Sequence, residues 1–301
     1  MGNRPPAPRP APPPQLPPPQ PAPAPPPPLL TDPWRETTWG SEKNQELLQY
    51  VKNFQPQNEK VEAIRVLLCG PVGAGKSSFI NSVNNVLQGR MTNEALASST
   101  TSDQSFTKIY KTYKIKKEGK GNFYSFVFND VMGLEEGTGV RTDDIKIALK
   151  GHVKDGYKFN PVSSLSEDDL GYNSSPSISD RVHVLVCIYD ANAPEMKSSV
   201  LQKMKEIREA ASELGIPQLA ILTHVDEACG ETEKNLRNVY KSKHLKKKMG
   251  DFSSSLGIPM NCILLMKNYS KEIQLNSDVD TLILSALRLM VDFGDDYADK
   301  L

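Results

Sequence analysis

The sequence of 301 residues lacks net charge, long apolar runs and patterned cysteines, and each absence excludes a class of protein. Lys and Arg together number 36, as do Asp and Glu, so no overall field attracts nucleic acid or a membrane surface, and we expect no nucleic-acid partner. No segment is apolar over the length that crosses a bilayer, and the N-terminus lacks the apolar core of a signal peptide. The sequence therefore predicts a cytoplasmic protein without a transmembrane segment.

The four cysteines and four histidines show neither disulfide nor metal-ligand spacing. Cys69, Cys187 and Cys262 lie in apolar, strand-like runs, whereas Cys229 lies in a polar stretch. The first three are predicted to be buried core thiols, which is the common fate of free cysteine. A disulfide framework and a zinc site are not expected.

Residues 1–28 are of low complexity, with proline at more than half of the positions. Such a chain cannot form helix or sheet ladders and samples the extended polyproline II conformation. It is interpreted as a semi-rigid spacer or, alternatively, as a ligand for an SH3 or WW domain. The predicted units are a disordered proline-rich tail at 1–32, an N-terminal linker and helix packed on the main domain at 33–60, and the main domain at 61–301.

From Val61 onward, apolar strand-like runs alternate with helical patterns. Strands are predicted near 63–69, 104–116, 122–129, 182–190, 217–223 and 260–266, and helices near 42–54, 75–88, 143–149, 196–214, 231–255 and 278–293. Runs that are apolar almost throughout, such as Val182–Ile188, are typical of a parallel sheet covered on both faces. The short link Lys117–Gly121 instead predicts an antiparallel hairpin. The predicted fold class is therefore α/β, a doubly wound and mostly parallel sheet with one antiparallel edge strand, of the P-loop NTPase and G-domain type.

Residues Gly70–Ser77 match the phosphate-binding pattern G-x-x-x-x-G-K-[ST], between a strand and a helix as that motif requires. Backbone N–H groups of such a loop and the following helix N-terminus hold anionic oxygens. Lys76 is predicted to reach the β- and γ-phosphates, and the Ser77 hydroxyl to bind Mg²⁺. The predicted nucleotide contacts of this loop are Gly70, Pro71, Val72, Gly73, Ala74, Gly75, Lys76, Ser77 and Ser78.

Two further motifs indicate which nucleotide the loop binds. Asp130 and Gly133 form Asp-x-x-Gly at a strand end, where the carboxylate can hold Mg²⁺ and the glycine N–H can meet the γ-phosphate. Thr223, His224 and Asp226 follow another strand and resemble the guanine motif [NT]-K-x-D, with histidine in place of lysine. A carboxylate there can accept two hydrogen bonds from guanine, and adenine offers no such pair of donors. Guanine is favoured over adenine, and the predicted cofactors are GTP or GDP with Mg²⁺.

The threonine that would complete the Mg²⁺ site is expected in the polar run before the second strand. Thr100 and Thr101 are equally good candidates, to act beside Ser77 and Asp130. The alternative is an ordinary turn rich in serine and threonine.

Catalysis is predicted less strongly than binding. Leu134 follows Gly133, where Ras-like enzymes place the glutamine that orients water, and an apolar side chain cannot do this. Glu135, Glu136 and Arg141 lie nearby, but no spacing selects one of them. We expect slow GTP hydrolysis, or hydrolysis that depends on homodimerisation through the nucleotide-binding domain or on a partner. The alternatives are a nucleotide-bound scaffold without turnover and an adaptor acting through the tail.

The sequence alone does not decide the role of three segments. The connection 134–180 is either a lid or interface over the nucleotide, or a surface insertion. The basic run 241–248 is either a solvated helix face or a contact for an anionic surface. Lys267–Ser270 follows the last strand, where a fifth guanine-contact turn would lie.

Taken together, these residues resemble the interferon-induced protein 44 family. The resemblance extends from about Pro33 to the C-terminus and includes Trp34-Arg35, Trp39, the loop and helix at 68–83, the segment 130–134, and Gly151–Pro161. It implies a cytoplasmic, interferon-inducible protein with a guanine-nucleotide-binding domain, linked to antiviral and immune responses. The TLDc domain that some members carry has no counterpart in the sequence, so activities that need it are not implied.

Overall fold

The structure, a computed structural model, describes residues 28–92, 109–119, 121–131, 133–136 and 139–301. Its strands are β1 (Ile64–Cys69), β2 (Lys111–Lys116), β3 (Phe123–Asp130), β4 (Val184–Asp190), β5 (Gln218–Thr223) and β6 (Ile263–Leu265). Within the described residues they form one sheet in the order β2-β3-β1-β4-β5-β6. Every neighbouring pair is parallel except β2 with β3, which is antiparallel. The predicted fold class is confirmed.

The helices form two layers on this sheet. They are α1 (Ser41–Asn53), α2 (Lys76–Gln88), α3 (Thr142–Leu149), α4 (Ser198–Glu213), α5 (Val225–Ala228), α6 (Gly230–Lys234), α7 (Lys243–Leu256) and α8 (Ser277–Ala298). Helices α1 and α2 pack with α8, and helices α3 and α7 pack with α4. Among the described residues, no helix combines the length and apolarity needed to cross a bilayer.

The burial of each strand explains its pattern of apolar and charged residues. The residues of β4 from Val184 to Ile188 are all buried, because helices cover both faces of the central strands. The edge strand β2 alternates instead, with Tyr113 and Ile115 buried and Lys114 and Lys116 exposed. Lysines on an edge strand discourage pairing with other chains, so β2 ends the sheet.

Some predicted element boundaries are corrected. The region predicted as one helix at 231–255 is divided into α6, a 3₁₀ turn at Leu236–Tyr240, and α7. Side chains of Asn235 and Ser242 cap the second and third pieces by accepting from Arg237 N and Leu245 N, which interrupts a continuous helix. The strand predicted at 260–266 keeps only three residues, because a 3₁₀ turn occupies Met260–Cys262. Residues 104–108 of the predicted second strand lie outside the described residues, and β2 begins at Lys111.

The cysteine prediction is correct for two of its three residues. Cys69 and Cys187 are buried, but Cys262 is partly exposed because it precedes the short edge strand β6. Cys229, which the sequence placed in a polar stretch, is buried, with its Sγ 3.2 Å from Ser242 Oγ.

Residues 28–30, the first residues that the structure describes, contact the main domain. Leu29 forms a bridge with Ser242, and Leu30 N donates to Lys241 O at 2.8 Å. These contacts lie before the predicted tail boundary at residue 32. We call residues 28–36 the clasp, because they run from this contact to the edge of β6.

Helix α1 packs on α8 through a polar anchor and an apolar stripe. Asn44 donates from Nδ2 to Ser277 O at 2.8 Å, and its Oδ1 accepts from Thr281 Oγ1 at 2.7 Å. Leu47 and Val51 follow at helical spacing and are buried. The helix is therefore part of the same core as the sheet.

The connection after α3 lies along the β2 edge of the sheet and the amino end of β1. Asp155 Oδ1 accepts from Thr112 N at 2.6 Å, and Ser179 O accepts from Arg65 Nε at 3.0 Å. Arg65 is the second residue of β1, so the part around Ser179 lies opposite the end where the phosphate loop follows. That part of the connection is thus placed as a surface insertion rather than as a lid.

Candidate nucleotide-binding site

The phosphate loop follows β1 and leads directly into α2. Gly75 is the N-cap of α2 with φ at 87°, a left-handed conformation that favours glycine. Gly70 approaches the neighbouring strand so closely that a Cβ there would lie 2.0 Å from Ile188 O. The sequence therefore needs glycine at both ends of the loop. The loop then lies at the carboxyl edge of the sheet, where open α/β sheets bind ligands.

Lys76 is folded over this loop. Its Nζ donates to Gly70 O at 3.0 Å and to Pro71 O at 2.9 Å, and the residue is 7% exposed. Burial lowers the pKa of Lys76, while the charge of Asp130 acts in the opposite direction. The ammonium thus lies at the centre of the loop, where an anion would be held.

A hydroxyl and a carboxylate meet beside the lysine. Ser77 in the first turn of α2 donates from Oγ to Asp130 Oδ2 at 2.6 Å, and Asp130 is the last residue of β3. This pair exists because β3 and β1 are parallel neighbours, so their carboxyl ends lie side by side. Hydroxyl and carboxylate oxygens are suitable Mg²⁺ ligands, so the donor set fits that ion. Thr100 and Thr101 lie outside the described residues.

The chain after Asp130 is attached to the loop. Leu134 N donates to Gly70 O at 3.0 Å, and Leu134 forms a bridge with Pro71. A Cβ at Gly133 would lie 2.8 Å from Val72 N, so this glycine permits the close approach of the two segments. The Leu134 side chain is 1% exposed and belongs to the core, where it has no access to a reacting water.

The other candidate catalytic residues have protein contacts. Arg141 Nε donates to Ser164 Oγ at 2.8 Å, and Glu136 lies 3.9 Å from Lys197. Glu135 offers its backbone oxygen to Lys203 Nζ at 2.6 Å. The geometry does not distinguish any of the three as the group that orients water.

The predicted base motif follows β5. Thr223 Oγ1 donates to Ala74 O at 2.8 Å, which joins the end of β5 to the phosphate loop. His224 has φ at 53°, and its Nδ1 lies 3.2 Å from Asp190 Oδ1 at the end of β4. This hydrogen bond raises the pKa of His224 against the opposing effect of burial. Asp226 lies in the first turn of α5, on the same edge of the sheet.

The segment after β6 completes this edge, and the sequence predicted its role only weakly. Lys267 Nζ lies 3.1 Å from Asp226 Oδ2, and Asn268 Nδ2 donates to Gly75 O at 3.2 Å. Asp190 was not predicted, and Asn268 was predicted only as part of the weakly supported turn Lys267–Ser270, without its contact to Gly75. Asp190 could have been found from its position at the end of an apolar strand, whereas the contact of Asn268 has no signal in the sequence.

The loop, the paired Ser77 and Asp130 and the strand order define a P-loop α/β domain with a G-domain-like fold. The chain is 36% identical over 262 residues to interferon-induced protein 44 from Homo sapiens, covering 86% of this chain. It is 37% identical to the Pan troglodytes protein over 262 residues and 35% identical to interferon-induced protein 44-like from Homo sapiens over 263 residues, again covering 86% of this chain. The chain therefore belongs to the interferon-induced protein 44 family over the aligned part, which confirms the resemblance.

The chain spans about three fifths of the length of the curated relatives it matches, with 59% and 58% of the two human proteins covered. No family model matches the chain. Among solved structures, two of Toc33 from Arabidopsis thaliana are similar at 15% identity, covering 85% of this chain and 91% of the other. One is a dimerization-deficient mutant with a TM-score of 0.49, and the other is a complex with GDP and Mg²⁺ with a TM-score of 0.48.

Proposed function

We propose that this chain is a guanine-nucleotide-binding protein that takes GTP or GDP with Mg²⁺ and hydrolyses GTP slowly or only with a partner. The observation that carries the proposal is the contact of Ser77 Oγ with Asp130 Oδ2 at 2.6 Å, beside the buried ammonium of Lys76. A cation site and an anion site next to each other suit a metal-bound triphosphate.

The proposed roles follow from position. The phosphate contacts are Gly70, Pro71, Val72, Gly73, Ala74, Gly75, Lys76, Ser77 and Ser78, with Gly133 at the γ-phosphate. Mg²⁺ would be held by Ser77 and Asp130 together with Thr100 or Thr101, and it would offset the charge of the phosphates. Thr223, His224 and Asp226 would bind the base.

Base preference is proposed from Asp226, because a carboxylate can pair with the two donors of guanine. The test is competition binding, in which a fluorescent GDP is displaced by GDP or by ADP. We expect GDP to compete at least tenfold better than ADP, and Asp226→Ala to reduce this ratio towards one. Equal displacement by ADP in the unaltered protein would rule out the assignment of Asp226.

Lys76→Ala tests the phosphate loop separately. Loss of the charge at the loop centre should abolish binding of both nucleotides, while far-UV circular dichroism stays unchanged. Lys52→Ala is the matched control, because Lys52 lies away from the phosphate loop and forms a surface pair with the exposed Glu118. Retained affinity in Lys76→Ala would show that the nucleotide is held elsewhere.

Slow hydrolysis is proposed because Leu134 is buried where other GTPases orient water. Single-turnover phosphate release measures it, with Lys76→Ala as the blank. The measurement is made on the monomer and again at concentrations at which sedimentation shows a homodimer. Phosphate release no faster than in Lys76→Ala under both conditions would favour the scaffold without turnover. The proposed dimer contact is the nucleotide-binding domain itself, and the proposed partner for the tail is an SH3 or WW domain.

Membership of the interferon-induced protein 44 family supports a role in the interferon response. We propose a cytoplasmic protein that acts in antiviral and immune defence. Transcript levels that do not rise after interferon treatment would contradict this role. Deletion of residues 1–27 tests the adaptor alternative, since unchanged cellular activity would remove the tail from the mechanism.

A further inference from the structure

One lysine lies between two carboxylates at the base end of the site. Lys267 Nζ is 3.1 Å from Asp226 Oδ2 and 3.0 Å from Glu272 Oε1. The three side chains are only 25%, 21% and 27% exposed, so water screens the group less than it screens a surface pair. Lys267 therefore has two competing carboxylate partners.

The loop that carries this lysine is fixed at several points. Asn268 Nδ2 donates to Gly75 O at 3.2 Å, and Tyr269 N donates to Ser82 Oγ in α2 at 2.9 Å. Glu272 Oε2 accepts from Ser270 N at 2.9 Å and from Lys271 N at 3.1 Å. The positions of the ammonium and of its second partner are thus set by the fold.

Lys267 and Glu272 favour their charged forms. Burial acts to raise the pKa of Glu272, but the hydrogen bonds from Ser270 N and from Lys267 outweigh it and lower the pKa to about 2. Burial acts to lower the pKa of Lys267, but the bond to Glu272 and the charge of Asp226 raise it. The ion pair of Lys267 with Glu272 is consequently present at neutral pH.

This arrangement affects how Asp226 can read a purine. Guanine offers its ring N–H and its exocyclic amine to two oxygens of a carboxylate, whereas hypoxanthine offers only the ring N–H. An ammonium on Oδ2 places a full positive charge beside one of those oxygens. It competes with the exocyclic amine, whose hydrogens are also positively polarised, for the same acceptor.

We propose that Lys267 is a specificity-determining residue that weakens selection for the exocyclic amine of guanine, with Glu272 drawing its ammonium away from Asp226. This inference rests on the proposed binding of a guanine nucleotide at Asp226. The site therefore takes purine nucleotides that carry a ring N–H at this edge, and it distinguishes guanine from hypoxanthine only modestly.

The test is displacement of a fluorescent GDP from the full chain with Mg²⁺ by GDP, inosine diphosphate and ADP. In the unaltered protein we expect GDP to bind less than tenfold more tightly than inosine diphosphate. Lys267→Met should raise this ratio about tenfold or more, the usual value of a hydrogen bond to a charged acceptor. Glu272→Gln should lower the ratio towards one, because Lys267 is then left to Asp226 alone.

Lys271→Met is the matched control, because Lys271 is an exposed lysine of the same loop, and it should leave the ratio unchanged. An unchanged ratio of GDP to inosine diphosphate affinity in Lys267→Met would overturn the proposal. An unchanged ratio in Glu272→Gln would overturn it too. Glu272→Gln keeps the lysine, so it tests the proposal even if Lys267→Met does not fold. Failure of the proposed guanine-nucleotide binding gives a different result from failure of this inference. In that case ADP would compete as well as GDP in the unaltered protein.

Discussion

Single side chains of the site owe their chemistry to their place at the carboxyl edge of the sheet. The ammonium of Lys76 is buried against loop carbonyls, and the carboxylate of Asp130 lies against the Ser77 hydroxyl. Outside this edge, the same residue types form ordinary surface pairs such as Lys247 with Asp251. The position of a residue, rather than its type, therefore decides whether its charge can act on a ligand.

His224 is expected to titrate above its ordinary pKa of 6.5 because Asp190 accepts its hydrogen bond, with smaller contributions from Glu227 and Asp226. Asp190→Asn should lower the pKa of His224, as measured by the NMR titration of its ring protons. A raised pKa in the folded state stabilises the fold fully below about pH 6.5, and this stabilisation is lost as pH rises through the folded pKa.

The melting temperatures of wild type and Asp190→Asn should therefore differ most at acidic pH and converge at alkaline pH. Asp251→Asn removes a carboxylate that pairs with the exposed Lys247 and should leave the His224 titration unchanged. The prediction fails if His224 titrates identically in Asp190→Asn.

Gly133→Ala is expected to destabilise the protein, because a Cβ there would lie 2.8 Å from Val72 N and 2.3 Å from Val72 Cγ2. Overpacking of this kind costs about 1–3 kcal/mol, measured as the free energy of unfolding in urea. GTP affinity should fall more than GDP affinity if Gly133 N–H meets the γ-phosphate.

The control for this variant is Gly250→Ala in α7, where an added Cβ has no heavy atom within 4 Å. It should stabilise the protein by about 0.5–1 kcal/mol, since alanine is the better helix former. Equal effects of the two substitutions would show that the contact with Val72 does not restrict position 133.

At the scale of elements, the two edges of the sheet are protected in different ways. Edge strand β2 carries exposed lysines, whereas the short β6 is covered by the clasp. Arg35 of the clasp donates to Ile263 O at 2.7 Å and to Met260 O at 2.5 Å. Its guanidinium also lies over the rings of Trp34 and Tyr240, at 5.3 and 5.2 Å from their centroids. The clasp thus ties the N-terminal segment to the last strand.

Arg35→Ala should lower the free energy of unfolding by about 2 kcal/mol, because partly buried carbonyl oxygens lose charged donors. Chemical denaturation followed by circular dichroism measures the change. Lys43→Ala is the control, since solvent screens its surface pair with Glu46 and the pair contributes little to stability. A loss no larger than that of the control would contradict the role of the clasp.

The elements also show which parts of the fold are readable from the sequence. The strands β1 and β4 were predicted because a run of apolar residues contains its own signal. The break between α6 and α7 was missed, because capping by Asn235 and Ser242 competes with a helical pattern that continues through them. The phosphate loop and Asp130 are local motifs, but Asn268 contacts Gly75 across 193 residues, and no local pattern records such a pair.

At the scale of the whole molecule, the proposed phosphate and base ends of the site form one unit. Thr223 and Asn268 both donate to the phosphate loop, so β5 and the segment after β6 hold the same backbone that would hold the phosphates. Helix α8 in turn contacts α1, α2 and β1. A change in the N-terminal helix is therefore expected to reach the site through the core.

Truncation separates the joint contribution of the clasp and the N-terminal helix from that of the tail. Removal of residues 1–27 should leave the melting temperature and nucleotide affinity unchanged, because the sequence predicts a solvated proline-rich tail there. Removal of residues 1–53 takes away the buried Leu47 and Val51 and leaves Thr281 Oγ1 without Asn44. This exposes an apolar face of α8, so the shorter chain should unfold at a much lower temperature or aggregate.

Asn44→Ala tests the same contact in the intact chain, where the loss of the hydrogen bonds to Ser277 O and Thr281 Oγ1 is expected to cost about 1–2 kcal/mol, although Thr281 Oγ1 keeps Ser277 O as a partner. Asn53→Ala at the end of α1, where the residue is exposed, is its control. Scanning calorimetry with and without GDP measures both stability and binding for every variant. A chain lacking residues 1–53 that melts like the full chain would show that the sheet and its remaining helices fold without α1.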